Sequence, residues 1–170
     1  MPTPRLIWCH GSLSQPWGTK SRHLAKVAES VGLTMDALDF QDLSAPDDRV
    51  TRLKATLAES DTPAILCGSS MGGYVASAAA KESNILGLFL LAPAFYLSGY
   101  ATHVFSGLPR TISVIHGWND DVVPVDNSIR FAGQHRAELH VVPDGHRLSN
   151  SLDMIGREFS RFLELTQDGK

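Results

Sequence analysis

The chain has 170 residues, of which 43% are hydrophobic and 19% charged, a length and balance that suit one globular domain over residues 1–170. Intrinsic disorder is excluded, because it needs few apolar residues and a large net charge. A formal charge of −3, with Lys and Arg scattered rather than in runs, gives no basis for nucleic acid or an anionic membrane surface as partner.

The first apolar run, residues 6–9, stops at His10-Gly11 and is too short for a secretory signal or a membrane span. A cytoplasmic protein is expected. Cys9 and Cys67 each sit inside an apolar run and read as small buried hydrophobes. Further runs follow at 33–40, 64–67, 86–91, 111–115 and 139–142. Most are continuous rather than alternating, as in strands covered by helices on both faces. Between them lie helical patterns. Residues 21–31 place Leu24, Val27, Ala28 and Val31 on one face, and 47–60 place Val50, Leu53 and Leu57 inward after Pro46 and two acids. Residues 71–83 are rich in Gly and Ala, which lets a helix lie close to a sheet. A last helix from about Asn150 presents Leu152, Ile155, Phe159, Phe162 and Leu163. The expectation is an α/β fold with a six-stranded, mostly parallel sheet.

Several strands end in a polar or glycine-rich turn, and in a parallel sheet such turns share the carboxyl edge, where ligands bind. Gly68-Ser69-Ser70-Met71-Gly72 matches G-x-S-x-G, the strand-to-helix turn that holds a nucleophilic serine clear of a sheet. The glycine spacing selects Ser70 over Ser69. Seven histidines compete to be its base. His23 and His135 fall in helices, His140 in a strand, and His10 and His116 close strands and hold turns by local bonds. His103 lies in an irregular stretch. His146, in Asp144-Gly145-His146 beyond the last strand, can reach the serine without distorting the sheet. Asp120 and Asp121 share one loop and are both candidates for the acid, in the order Ser, acid, His. No H-E-x-x-H, paired-Cys, G-x-G-x-x-G or P-loop pattern occurs, so neither metal nor cofactor is implied.

These motifs together resemble the α/β-hydrolase superfamily over nearly the whole chain. Strand-His10-Gly11 resembles its oxyanion loop, Gly68–Gly72 its elbow, Gly117-x-x-Asp120-x-x-Val123-Pro124 its acid loop and Asp144-Gly145-His146 its histidine loop. The resemblance selects Asp120 as the acid. It implies the backbone N–H groups of Met71 and Ser12 as oxyanion donors, with Leu13 as second choice. It also implies a minimal version of the fold, without the two leading strands and without a cap, similar to small bacterial serine esterases. The acyl site should then be open and shallow, lined by Leu13, Trp17, Phe95, Tyr96 and Trp118. Small carboxylic esters of about two to six acyl carbons are the expected substrates. A thioesterase or acyltransferase with the same three residues, or a binding protein on this scaffold, are the other readings.

Overall fold

The computed structural model describes residues 2–82 and 84–168. Its elements run β1 (Arg5–Cys9), α1 (Thr19–Ser30), β2 (Met35–Leu38), α2 (Pro46–Ala58), β3 (Ala64–Ser69), α3 (Met71–Ala79), β4 (Ile85–Leu91), β5 (Thr111–Gly117), α4 (Val125–His135), β6 (Glu138–Val142) and α5 (Leu152–Asp168). The six strands form one sheet in the order β2-β1-β3-β4-β5-β6, and every pairing is parallel. The direction of winding reverses between β1 and β3. The chain leaves β1 for one edge and returns at β3 to build toward the other, opening a crevice at the carboxyl ends of these two strands.

Continuous hydrophobicity in the strands follows from burial on both faces. Ile7, Cys9, Leu66, Leu88, Leu90 and Val114 face a core built with α2, α3 and α4. Leu6, Trp8, Cys67, Phe89 and Leu91 face a second core built with α1 and α5. Cys9 and Cys67 therefore lie on opposite faces, both as buried free thiols. Burial pushes Cys9 up to about 12, against the opposing pull of the Arg49 charge, so neither thiol is poised to react.

Two expectations shorten. The run 33–40 forms a strand only over Met35–Leu38. Leu33 donates its N–H to Ala28 O and belongs to the end of α1, while the Phe40 N–H goes to the His10 ring. The helix expected over 71–83 ends at Ala79 and tightens into a 3₁₀ turn over Ala80–Glu82, and Ser83 lies outside the described residues. Between β4 and β5 the irregular stretch 92–110 is tied down. The Tyr74 hydroxyl donates to Asp47 Oδ1 (2.6 Å) and accepts from Thr102 N–H, and Ala101 N–H donates to Asp47 Oδ2.

No helix among the described residues is long and apolar enough to cross a membrane. In the second core Phe159 is fully buried, its ring 4.8 Å from that of Phe89. Phe159→Ala is expected to lower the unfolding free energy by about 3–5 kcal/mol, as deletion of a buried ring does, measured by urea denaturation.

Candidate active site

The crevice between β1 and β3 holds the turn 68–72. Ser70 has φ 55° and ψ −120°, a conformation disfavoured for a residue with a side chain. It is held there from both sides: its N–H donates to Leu91 O, and its carbonyl accepts from Gly73, Tyr74 and Ala94 N–H. The flanking glycines are a steric requirement. A Cβ on Gly68 would lie 2.3 Å from Gly72 O, and one on Gly72 1.9 Å from Cys9 O. Ser69 by contrast ends the strand, buried, and pairs with Leu91.

Ser70 Oγ lies 3.0 Å from His146 Nε2, and His146 Nδ1 lies 2.7 Å from Asp120 Oδ2. A carboxylate can only accept, so Nδ1 carries the proton and Nε2 is free to accept from the serine. The acid and histidine loops are sewn together by their backbones. Trp118 N–H donates to Val142 O and Asn119 N–H to Asp144 O, and a Cβ on Gly117 would meet Asp144 O at 2.2 Å. Asp144 in turn accepts from Gly145 N–H, Asn150 N–H and Ser151 Oγ, fixing the loop that carries His146.

The Asp120 carboxylate has no exposed surface. Its Oδ1 accepts from Val122 and Val123 N–H, and its Oδ2 meets both His146 and His116 Nε2, the latter at 3.0 Å. Burial alone would raise its pKa, but the bonds from Val123, His146 and Val122 outweigh that and hold it below the ordinary value. Asp121 faces solvent, as does His103. His116 bonds Ser128 Oγ and Val123 O, holding its turn by local bonds as expected, and through the same Nε2 it also braces Asp120.

Sequence reasoning missed Arg49. Although it lies on α2, it is 1% exposed, and its guanidinium donates to the carbonyls of His10, Gly11, Ser12 and Leu43. Nothing in the sequence separates it from its neighbours Arg52 and Lys54. In a trans peptide each carbonyl opposes the next N–H, so this grip turns the Ser12 and Leu13 N–H groups away from Arg49. The loop lies against the elbow, for a Cβ on Gly11 would come within 3.7 Å of Ser70 Cβ. No hydrogen bond to Met71 N–H or Ser12 N–H is made among the described residues.

A cleft of about 700 Å³ opens over Ser70 and His146, lined by the loop 10–15, the start of α1, Val122, Arg147, Ser149 and Leu152. Of the residues expected to line it, only Leu13 does so, fully exposed at the rim. Phe95 is buried in the core, stacked 4.1 Å from Phe131, because an uncharged ring there gains more from packing than from water. Tyr96 bonds Gln134 and lies under Arg130. Trp17 borders a separate hollow beside β2, and Trp118 is 58% exposed outside the cleft. Elsewhere, Glu138, His140 and Glu158 hold ligand atoms within 4.8 Å of one another, but Arg161 bonds both carboxylates and occupies the place of a cation.

Residues 5–108 match the model of an uncharacterised protein family, UPF0227. A solved protein from Xanthomonas campestris pv. campestris, assigned to the alpha/beta hydrolases, is 31% identical, with 95% of this chain and 99% of that one covered at a TM-score of 0.87. The esterase Pf2001 of Pyrococcus furiosus is 18% identical over 95% of this chain and 82% of that one, with a TM-score of 0.83. Est1E of Butyrivibrio proteoclasticus, solved with ferulic acid bound, is 18% identical over 99% of this chain and 90% of that one, with a TM-score of 0.79. At these last identities the likeness is one of fold. No curated protein matches the sequence.

Two buried histidines give the site a pH dependence of its own. His10 Nε2 accepts from Phe40 N–H, an acceptor role that requires the neutral ring, and His116 is fully buried. Burial lowers both below the ordinary 6.5, outweighing the bonds to Gly11 O and Val123 O that would raise them. The unfolded chain then binds protons more readily. Stability is complete above that ordinary value and is lost as pH falls from there through the lowered folded values. Urea midpoints measured from roughly pH 8 to pH 5 should decline toward the acid end. A flat profile would contradict neutral burial.

Proposed function

The chain belongs to the α/β-hydrolase superfamily and to the uncharacterised protein family UPF0227, and we propose that it is a serine hydrolase of small carboxylic esters, with Ser70 as nucleophile, His146 as general base and Asp120 as orienting acid. The observation that carries this reading is the unbroken hydrogen-bonded chain Ser70–His146–Asp120 at the mouth of a cleft. Similarity of fold to esterases, one with ferulic acid bound, agrees with an ester as substrate.

In this reaction Ser70 Oγ attacks the ester carbonyl carbon while its proton passes to His146 Nε2. The resulting oxyanion is met by the N–H groups of Met71 and Ser12, with Leu13 as second choice for the latter. Support comes from the Met71 N–H, which makes no hydrogen bond among the described residues, and from the Arg49 grip on the neighbouring carbonyls. The tetrahedral centre collapses, the bond to the alcohol oxygen breaks, and His146 returns the proton to that oxygen. Water then attacks the acyl-serine, giving one proton to His146. Collapse releases the carboxylic acid, and His146 restores the Ser70 hydroxyl. Asp120 stays ionised throughout, holding the ring and the imidazolium it becomes.

Ser70→Ala should abolish labelling by a fluorophosphonate probe and lower ester turnover by several orders of magnitude, whereas Ser69→Ala should label normally. Labelling that survives in Ser70→Ala would refute the nucleophile. Asp120→Asn should cost about 10⁴ in kcat, and Asp121→Asn far less, since only the former sets the tautomer.

The acyl range follows from what lines the cleft. None of its lining residues comes from 92–110, so no segment of that stretch encloses a long chain. Each buried methylene adds about 0.8 kcal/mol, so kcat/KM should climb over the first carbons and then flatten, with a maximum at about two to six. A p-nitrophenyl ester series measures this, and a maximum at long chains would require a tunnel the cleft does not offer.

A further inference from the structure

The cleft over Ser70 is charged in one sense only. Its lining includes two cations, Lys20 and Arg147, and no Asp or Glu. Neither cation makes a hydrogen bond or a salt bridge among the described residues. The nearby acids are spent. Asp120 is saturated by two N–H groups and two imidazoles, and Asp144 by the backbone and hydroxyl donors of its own loop. We propose that Lys20 and Arg147 recognise an anionic group on the leaving-group side of the substrate, so that the preferred ester or thioester departs as a negatively charged alcohol or thiol.

This rests on the hydrolase reading for its direction. The leaving atom must stand within reach of His146 Nε2 to receive its proton. That places the departing group beside the loop on which Arg147 directly follows His146, in the cleft that Lys20, in the first turn of α1, also lines. That first turn contains no acid to neutralise the lysine. The energetic state of Lys20 agrees. Burial, and then the like charge of Arg147, lower its pKa, and Asp120 and Asp144 only partly oppose this. An unpaired ammonium held beside a second cation is a cost in the empty cleft, and a bound anion relieves it. The chemistry common to the fitting ligands is a carboxylate or a phosphate, as on a hydroxy-acid or a phosphorylated thiol.

Matched substrates test this. The esters 4-carboxyphenyl butyrate and 4-carbamoylphenyl butyrate differ in charge but hardly in shape, and butyryl-coenzyme A carries phosphates on its thiol. For each protein the readout is the ratio of kcat/KM for the anionic to the neutral ester, which cancels any general loss of activity. The wild-type chain should favour the anionic ester. That preference should fall about tenfold in Lys20→Gln or Arg147→Gln, nearly vanish in the double variant, and shrink as ionic strength rises. If 4-carboxyphenyl butyrate shows the effect and butyryl-coenzyme A does not, the anion is a carboxylate; the reverse identifies a phosphate. Calorimetric binding of 4-hydroxybenzoate and of free coenzyme A reads the same two cations without turnover. Should neither ester be cleaved while one of these probes binds and loses binding in the double variant, the hydrolase reading fails and the anion site stands. Equal kcat/KM for charged and neutral substrates, or a preference that persists in the double variant, overturns the anion site and leaves the hydrolase reading intact.

Discussion

The first turn of α3 runs so close to the end of β1 that a single methyl group on Gly72 would lie 1.9 Å from the Cys9 carbonyl oxygen. This approach decides most of what surrounds it. It forces a sharp exit from β3, and the exit places Ser70 at φ 55°, a conformation that costs about 1–3 kcal/mol. Four backbone hydrogen bonds, to Leu91 and from Gly73, Tyr74 and Ala94, offset that strain and leave the serine hydroxyl standing clear of the sheet. The small residues of α3 act in the same direction, since Ala76 and Ala79 are buried where a larger side chain would push the helix off β1 and β3.

A second close approach fixes the other half of the site. Gly117 meets the Asp144 carbonyl, and Trp118 and Asn119 bond Val142 and Asp144, so the loops after β5 and β6 are fixed against each other by their backbones and with them the Asp120–His146 distance. The two halves are joined by the bond between Ser70 Oγ and His146 Nε2, and by the packing of Val123 in the cluster of Met71 and of Leu148 in the cluster of Cys67. Parallel register joins them, because β3, β4, β5 and β6 are successive neighbours that end at one edge.

The sequence made the sheet legible because the four inner strands, buried on two faces, are continuous apolar runs, while the half-exposed edge strands β2 and β6 carry polar residues among their apolar ones. Ser70 and His146 could be paired in sequence for a related reason, since each lies in a turn just past a strand, where parallel topology leaves few destinations; Asp120 was separated from Asp121 on the same loop only by the family resemblance. The cleft wall was not legible. Phe95 and Tyr96 look the same in sequence whether they face a ligand or Phe131 and Arg130, and packing against α4 alone decides it. Arg49 and Lys20 escaped for the opposite reason. A cation in a helix reads as a solvated face, and only the tertiary path of the loop 10–15 brings one beneath that loop and the other beside the cleft. The ends of β2 were misread because Phe40 spends its N–H on a side chain, His10, rather than on a neighbouring strand.

The stretch 92–110 bears on how such a site can work. Tyr74 and Asp47 hold its middle, and Asn127 holds the Phe95 carbonyl, so it is anchored to three helices on the face away from α1. It contributes nothing to the wall over Ser70, which leaves the cleft open on that side. Charges in an open cleft are screened and therefore weak, while those buried behind it are not. The structure puts its strong electrostatics behind Ser70 and His146. Asp120 lies beneath His146, and the Arg49 guanidinium lies beneath the loop 10–15, both shielded from solvent. The exposed Arg147 and half-buried Lys20 can act strongly only once a ligand covers them. On the proposed reading the substrate itself supplies the roof, and its charge decides how well it fits.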